Sequence, residues 1–290
     1  MTRCGVRGVT ACLFVIATPI GNLGDITQRA LETLREVDLI AAEDTRHSAA
    51  LMRHFNVATP LVSYHDHSKE SEVLQLLDHL RSGRSVALIS DAGTPLVSDP
   101  GYRLVAACHT ESIPVVPIPG ASALTAALSA SGLPTNRFHF EGFLPVKSGQ
   151  RKSRLQGIRH LESTLVLFEA PRRLPESLMA LLDVLGDRDA ALCRELTKAH
   201  ETIRRDRLSG LYEFVAADSQ QLRGEAVLVV RGFEAEGEAI TPAAMLLVER
   251  LARELPPRRA QHRARWVTLE LPPTRQGLPG PHGAPPAGAR

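Results

Sequence analysis

At 290 residues, 43% hydrophobic and 23% charged, the chain has the makeup of a globular protein with room for two cores. A net charge of +2 gives no bulk attraction to nucleic acid, so any such surface must come from local clustering. Cys4, Cys12, Cys108 and Cys193 are scattered without a Cys-x-x-Cys pair, which argues against a zinc site or a disulfide framework and fits a reducing, cytoplasmic setting.

The apolar run from Ala11 to Ile20 passes directly into a Pro-Gly turn. It reads as a first strand, Leu13 to Ala17, and not as a signal peptide. No run is long enough to span a bilayer. The loop Thr18 to Asp25 follows, and Asp25 or Thr27 can cap a helix reaching about Val37. Leu39 to Ala42 is a second strand ending in Glu43-Asp44-Thr45-Arg46-His47, before a helix over Ser48 to Phe55. Leu61 to Tyr64 is a third strand. Glu70 to Arg81 is an amphipathic helix closed by Ser82-Gly83. Val86 to Ile89 is a buried strand that runs into the loop Ser90 to Gly101, dense in Gly, Pro, Ser and Asp. A helix over Tyr102 to His109, a strand over Val115 to Ile118 and an Ala-rich helix ending near Ser131 complete the first half.

Alternating strands and helices indicate a parallel sheet covered on both faces. Three Gly/Pro-rich loops, at Thr18, Ser90 and Pro119, each follow a strand. In a parallel sheet all three emerge on one edge, where ligands of open α/β sheets bind. Gly132 to Asn136 is the candidate domain boundary.

The second half repeats the pattern. Arg137 to Leu144 reads as a strand, and Pro145 to Arg159 is basic without an acidic residue. That basic segment is either a solvated helix face or a flexible loop that meets phosphate. Thr164 to Phe168 is a strand, Pro175 to Leu185 a helix, Ala190 to Cys193 a strand and Ile203 to Asp206 an edge pairing. A helix over Leu208 to Ala217 and a strand over Ala226 to Val230 close this half. The expected layout is a domain over 11–132, a second over 136–234, a helical extension over 240–260 and a basic, then Pro/Gly-rich tail over 261–290.

The phosphate-binding pattern Gly-x-x-x-x-Gly-Lys-Ser/Thr is absent, and so is Gly-x-Gly-x-x-Gly. No His-Glu-x-x-His or Cys/His cluster supports a metal, and His65 and His67 alone read as surface polar residues. Gly/Pro loops with few fixed charges suit a ligand gripped through backbone N–H and C=O groups.

Five segments carry a resemblance: Ala17 to Thr27, Ala42 to Arg46, Ser90 to Gly101, Pro117 to Ala123 and Arg194 to Lys198. In this order and spacing the chain, over roughly 13 to 232, resembles the tetrapyrrole-methylase superfamily, and within it the branch that methylates ribosomal RNA. The resemblance implies two α/β domains with a cofactor cleft between them, and a homodimer. It implies S-adenosylmethionine as methyl donor and the ribose 2′-hydroxyl of a cytidine in the decoding region of 16S rRNA, in the 30S subunit, as acceptor. Carried over, cofactor contacts fall at Pro19, Asp91, Ala92, Gly93, Ser122, Ala123, Phe168, Leu196 and Ala226. Where porphyrinoid enzymes usually have a Gly-x-Gly-Pro-Gly type loop, this chain has Thr18-Pro19-Ile20-Gly21-Asn22. Arg172 stands where the branch often has His, and the tail beyond Ala260 departs from the branch's usual basic and aromatic end.

Removal of the hydroxyl proton calls for a base or a nearby cation. Glu43, Asp44, Arg46, Glu195 and Lys198 are the candidates. The bland alternatives are an N-cap at Asp44 or Thr45 and a surface ion-pair set over Arg194 to Lys198. Lys147, Arg151, Lys152 and Arg154 are the expected RNA contacts. Two competing functions are a methyltransferase for a porphyrinoid or other small molecule, and a non-catalytic ribosome-assembly protein that binds RNA.

Overall fold

The computed structural model describes residues 11–65, 70–234 and Arg250. Of the two compact units of the chain, the first, Met1–Phe233, holds both sheets and everything described below. The helix expected over 240–260, the tail over 261–290 and His67 lie outside the described residues, apart from Arg250.

The first sheet has five strands: β1 Leu13–Ile16, β2 Leu39–Ala42, β3 Leu61–Ser63, β4 Val86–Ile89 and β5 Val115–Ile118. Their order is β3-β2-β4-β1-β5 and all neighbours run parallel. The inner strands β1, β2 and β4 are near-continuous apolar runs because both faces are covered, while the edge strands β3 and β5 are only partly buried. Phe14, Ile16, Ile40, Ala87 and Ile89 face one cluster, with Ala30, Leu34 and Met52. Leu13, Leu39, Ala41, Val86 and Leu88 face the other, with Leu76, Leu77, Leu80 and Leu104. The covering helices are α1 Gln28–Glu36 and α2 Thr45–His54 on one side, α3 Glu70–Arg81 and α4 Tyr102–Thr110 on the other. Thr27 caps α1 by accepting from Ala30 N, and Asp44 caps α2 by accepting from Arg46 N and His47 N.

The fifth helix, α5 Ala123–Ser131, packs against the second sheet. Its Ala127 and Leu128 join Val166, Ala191, Cys193, Val227 and Val229 in one buried cluster, together with Ile20 and Leu196. This helix and those two loop residues join the two halves.

The second sheet contains β6 Phe138–Phe143, β7 Thr164–Glu169, β8 Asp189–Arg194, β9 Thr202–Arg207 and β10 Ala226–Val230, in the order β6-β7-β10-β8-β9. Unlike the first sheet it is mixed. Only β6 and β7 run parallel; β7–β10, β10–β8 and β8–β9 are antiparallel. The reason for the last pairing is local: no helix stands between β8 and β9, so the chain turns back on itself. The outer face packs on α6 Ser148–Ile158, α7 Leu174–Leu185 and α8 Leu208–Ala217. The basic segment expected to be a loop or a solvated helix face is therefore mostly α6, which buries Arg151, Leu155 and Ile158.

Candidate functional site

Because the first sheet is parallel, its loops leave one edge together. The β4 and β5 strands flank β1, so the three Gly/Pro loops meet as neighbours. Thr18 and Gly93 form a two-residue bridge, Thr18 N to Gly93 O at 2.8 Å and Gly93 N to Thr18 O at 3.1 Å. The Thr18 hydroxyl donates to Ser90 O at 3.2 Å, and the Thr94 hydroxyl to Ala121 O at 3.1 Å. Asp44 N donates to Asp91 Oδ1 at 3.0 Å, which ties the β2 loop to the same cradle. Gly93 has φ +83°, a conformation that side-chain-bearing residues rarely take. Leu96 and Ser98, at φ 71° and 63°, take left-handed backbone without being glycine. Such outliers gather where a loop is over-determined by its surroundings, and they point to function.

These loops face the inner side of the second sheet across a cavity of 460 Å³, within the range of small-molecule sites. From the first half, Ile20, Glu43, Asp91, Ala92, Gly93, Ser122 and Ala123 line it; from the second, Phe143, Phe168, Glu169, Leu196, Glu225 and Ala226. Eight of the nine expected cofactor contacts thus line one cavity. The ninth, Pro19, is buried outside it, and its neighbour Ile20 takes the wall position. Five carboxylate residues line the cavity, Glu43, Asp91, Asp99, Glu169 and Glu225. No lysine or arginine does so among the described residues.

The expected catalytic set divides. Glu43 lines the cavity. Asp44 does not: its carboxylate holds the α2 N-terminus. The N–H groups of Arg46 and His47 keep its carboxyl below the usual range, which makes it a weaker base. Arg46 sits exposed on the first turn of α2. Glu195 and Lys198 pair beside the cavity: Lys198 Nζ is 2.9 Å from Glu195 Oε1 and 3.0 Å from Glu225 Oε2. Burial pushes Glu195 up, but bonds from Lys198 and from Glu225 N outweigh it and leave the carboxyl lowered. Burial likewise pushes Lys198 down, and the two carboxylates reverse that. The Lys198 stem lies against Gly21, where any Cβ would overlap it. Lys198 therefore links the β1 loop to the second sheet. Glu195 and Thr197 hold left-handed backbone at φ 53° and 67°. Arg194 anchors this loop from inside through Gln221, Arg223 O and Thr202.

The expected RNA contacts also divide, and the structure corrects one of them, Arg151. Arg151 is buried, its Nη2 on Glu176 at 3.0 Å. Its apolar neighbours Leu155 and Ile158 carry it inward, so it cannot meet a phosphate on the surface. Lys152 pairs with Asp183 at 2.9 Å, and Arg154 grips Glu141 with two nitrogens. Lys147 alone of the four is exposed with no acidic partner among the described residues, at the N-cap of α6.

Several wall residues carry no signal in sequence. Glu169 ends β7 and is 2% exposed. It accepts from Ser177 Oγ at 2.5 Å and Ala170 N at 2.9 Å, with Arg173 Nη1 3.4 Å away. It thereby fixes the Ala170-Pro171 turn of the cavity wall. Cys193, also in the wall, has its thiol pushed up to about 11 by burial and by Glu201, so it stays protonated and inert near neutrality.

A parallel sheet and a mixed sheet meet over one cleft lined by carboxylate residues. The family described as Tetrapyrrole (Corrin/Porphyrin) Methylases matches residues 13–212. Diphthine synthase has the same fold, with a TM-score of 0.61 at 20% identity over 77% of this chain and 90% of that one. So has uroporphyrin-III C-methyltransferase from Thermus thermophilus complexed with S-adenosyl homocysteine, with a TM-score of 0.51 at 24% identity over 76% and 97%. More narrowly, a Pseudomonas aeruginosa relative, "Ribosomal RNA small subunit methyltransferase I", is 52% identical over 88% of this chain and 92% of its own. The chain belongs to the tetrapyrrole methylases, in the ribosomal RNA small subunit methyltransferase I family.

Proposed function

We propose that the cleft binds S-adenosylmethionine and methylates the ribose 2′-hydroxyl of a cytidine in the decoding region of 16S rRNA, in the small ribosomal subunit. The observation that carries this reading is the 52% identity, over nearly the whole of both chains, to a relative named for that class of reaction. The proposed setting is the cytoplasm and the proposed state a homodimer of two-domain subunits, divided at 132–136. No helix among the described residues is long and apolar enough to cross a membrane.

The cavity's chemistry fits the methyl donor. Bound there, S-adenosylmethionine supplies a methyl group on a cationic sulfonium. Five carboxylate residues line the wall and no basic residue does; Glu169 and Glu225 are paired from outside it with Arg173 and Lys198, and the remaining three still favour a cation. Backbone groups of Asp91, Ala92, Gly93, Ser122 and Ala123 would hold its polar parts, while Phe168, Leu196 and Ala226 supply apolar wall. Methyl transfer to a hydroxyl needs the acceptor oxygen in line with the methyl and its proton removed. Glu43 is the proposed base, because it alone of the five candidates lines the cavity. Glu195 and Lys198 would position Glu225 and the β1 loop. Asp44 and Arg46 would set the start of α2, and so the reach of Glu43.

The test is a labelled methyl donor with purified protein, offered unmodified 30S subunits, naked 16S rRNA or a porphyrinoid. Label is expected in the RNA of the subunits. Label in the porphyrinoid alone, or donor consumed with neither, contradicts the reading.

A further inference from the structure

Strand β6 carries a bulge between Phe140 and Gly142 against its partner β7. Phe140 pairs with Val166 and Phe143 with Phe168, so three steps on β6 match two on β7. Side chains alternate along a strand, and residues three apart ordinarily face opposite ways. The extra residue cancels that. It turns Phe143 to the same face as Phe140, and both rings meet the edge of Phe168, at 5.8 and 4.9 Å between centroids. Bulges beside active sites re-aim side chains in this manner.

The bulge is built, not incidental. Gly142 takes φ +70°, and a Cβ there would press on Ser98 Oγ of the opposite loop at 3.1 Å. The bulged Glu141 points away from the cleft into near-complete burial, held by Arg154 and by His139 at 3.0 Å. Burial pushes the Glu141 carboxyl up; Arg154 and His139 overcome this and keep it ionised. All of this holds one ring, Phe143, which lines the cavity yet is 55% exposed. An aromatic side chain held half in a cavity and half in water leaves a large apolar face uncovered.

We propose that Phe143 is the stacking subsite for the base of the nucleotide being methylated. This rests on the ribosomal RNA reading above. A ribose hydroxyl reaches a methyl donor held between these walls most readily from an unpaired nucleotide, whose unstacked base gains from a new aromatic partner. Phe143 offers that partner with its exposed face, leaving the acidic residues of the wall to the methyl donor. Glu141 and Arg154 are positioning residues that act through the bulge.

The test compares wild type with Phe143→Ala, Phe143→Trp and Arg154→Met. Filter retention gives affinity for unmodified 30S subunits, calorimetry gives affinity for S-adenosyl homocysteine, and methylation is followed in parallel. Phe143→Ala should weaken subunit binding about tenfold, the scale of one base–aromatic stack. Cofactor affinity should stay within about twofold, and Phe143→Trp should restore subunit binding. Arg154→Met should fall between them. Unchanged subunit affinity in Phe143→Ala overturns the inference, as does a loss confined to the cofactor, or failure of the wild type to retain subunits. A wild type that retains subunits without methylating them contradicts the functional reading instead, and leaves the stack to be judged by Phe143→Ala.

Discussion

The two sheets face the same cavity but build their walls differently. The first sheet offers backbone: Gly93, Thr18 and Ala121 are tied loop to loop by main-chain and hydroxyl bonds. The second sheet offers side chains fixed by ion pairs or buried bonds, Glu169 in the wall itself and Glu195 and Arg194 supporting it from outside the lining. A parallel sheet aims all its loop ends at one edge and needs only permissive backbone there. A mixed sheet does not converge its ends, so its wall is assembled from side chains held one at a time. The first half is a cradle and the second a clamp. Damage to the cradle should read in cofactor binding, and damage to the clamp in stability and turnover.

Glu43→Gln breaks this comparison most severely, since Glu43 belongs to the cradle yet is the proposed base. It should lower kcat about a hundredfold or more while cofactor affinity holds. Asp44→Asn, which keeps an oxygen for the cap, should leave kcat near wild type. The reverse pattern would transfer the base to Asp44. Gly93→Val tests the cradle alone. A β-branched residue at φ +83°, 3.2 Å from Ile20 where its Cβ would stand, should cost about a hundredfold in cofactor affinity by calorimetry.

Glu169→Ala tests the clamp. Removing a buried carboxylate strands Ser177 and part of Arg173, and should cost about 3 kcal/mol in urea denaturation. Lys198 gives the smallest and most discriminating effect. Lys198→Met keeps the stem on Gly21 and should retain turnover within about threefold, while Lys198→Ala should lose about tenfold. Equal loss in both would assign the ammonium a chemical role. Glu195 has a lowered carboxyl, so its share of stability is present above its ordinary value of 4.5 and fades as pH falls. Lys198 is raised, so its share is present below 10.5 and fades as pH rises further. The difference in melting temperature between wild type and Lys198→Met should therefore be flat from pH 6 to pH 9.

The cradle was legible in the sequence because its rules are local. Buried runs such as Val86 to Ile89 announce a parallel strand, and Gly93 and Pro95 announce the loop. The clamp was far less so. Glu169 at a strand end reads as a solvated acid until Ser177, eight residues on, closes over it. Arg151 and Arg154 read as a basic surface until α6 turns one inward and gives the other to Glu141. The bulge that aims Phe143 depends on a pairing with residues further along the chain, Phe143 with Phe168 and Phe140 with Val166, with no mark of its own beyond Gly142. Helix α5 is rich in alanine on every side, so its pattern did not reveal that it packs on the second sheet. Long-range pairing, not local propensity, decided each of these.

The most direct measurement is nucleoside mass spectrometry of 16S rRNA from unmodified 30S subunits, before and after incubation with the protein and S-adenosylmethionine. The account predicts the appearance of 2′-O-methylcytidine, strongly reduced in Glu43→Gln at any donor concentration and in Gly93→Val at donor concentrations that just saturate the wild type. A methyl group on a base, or no modified nucleoside while the donor binds the cleft, would contradict it.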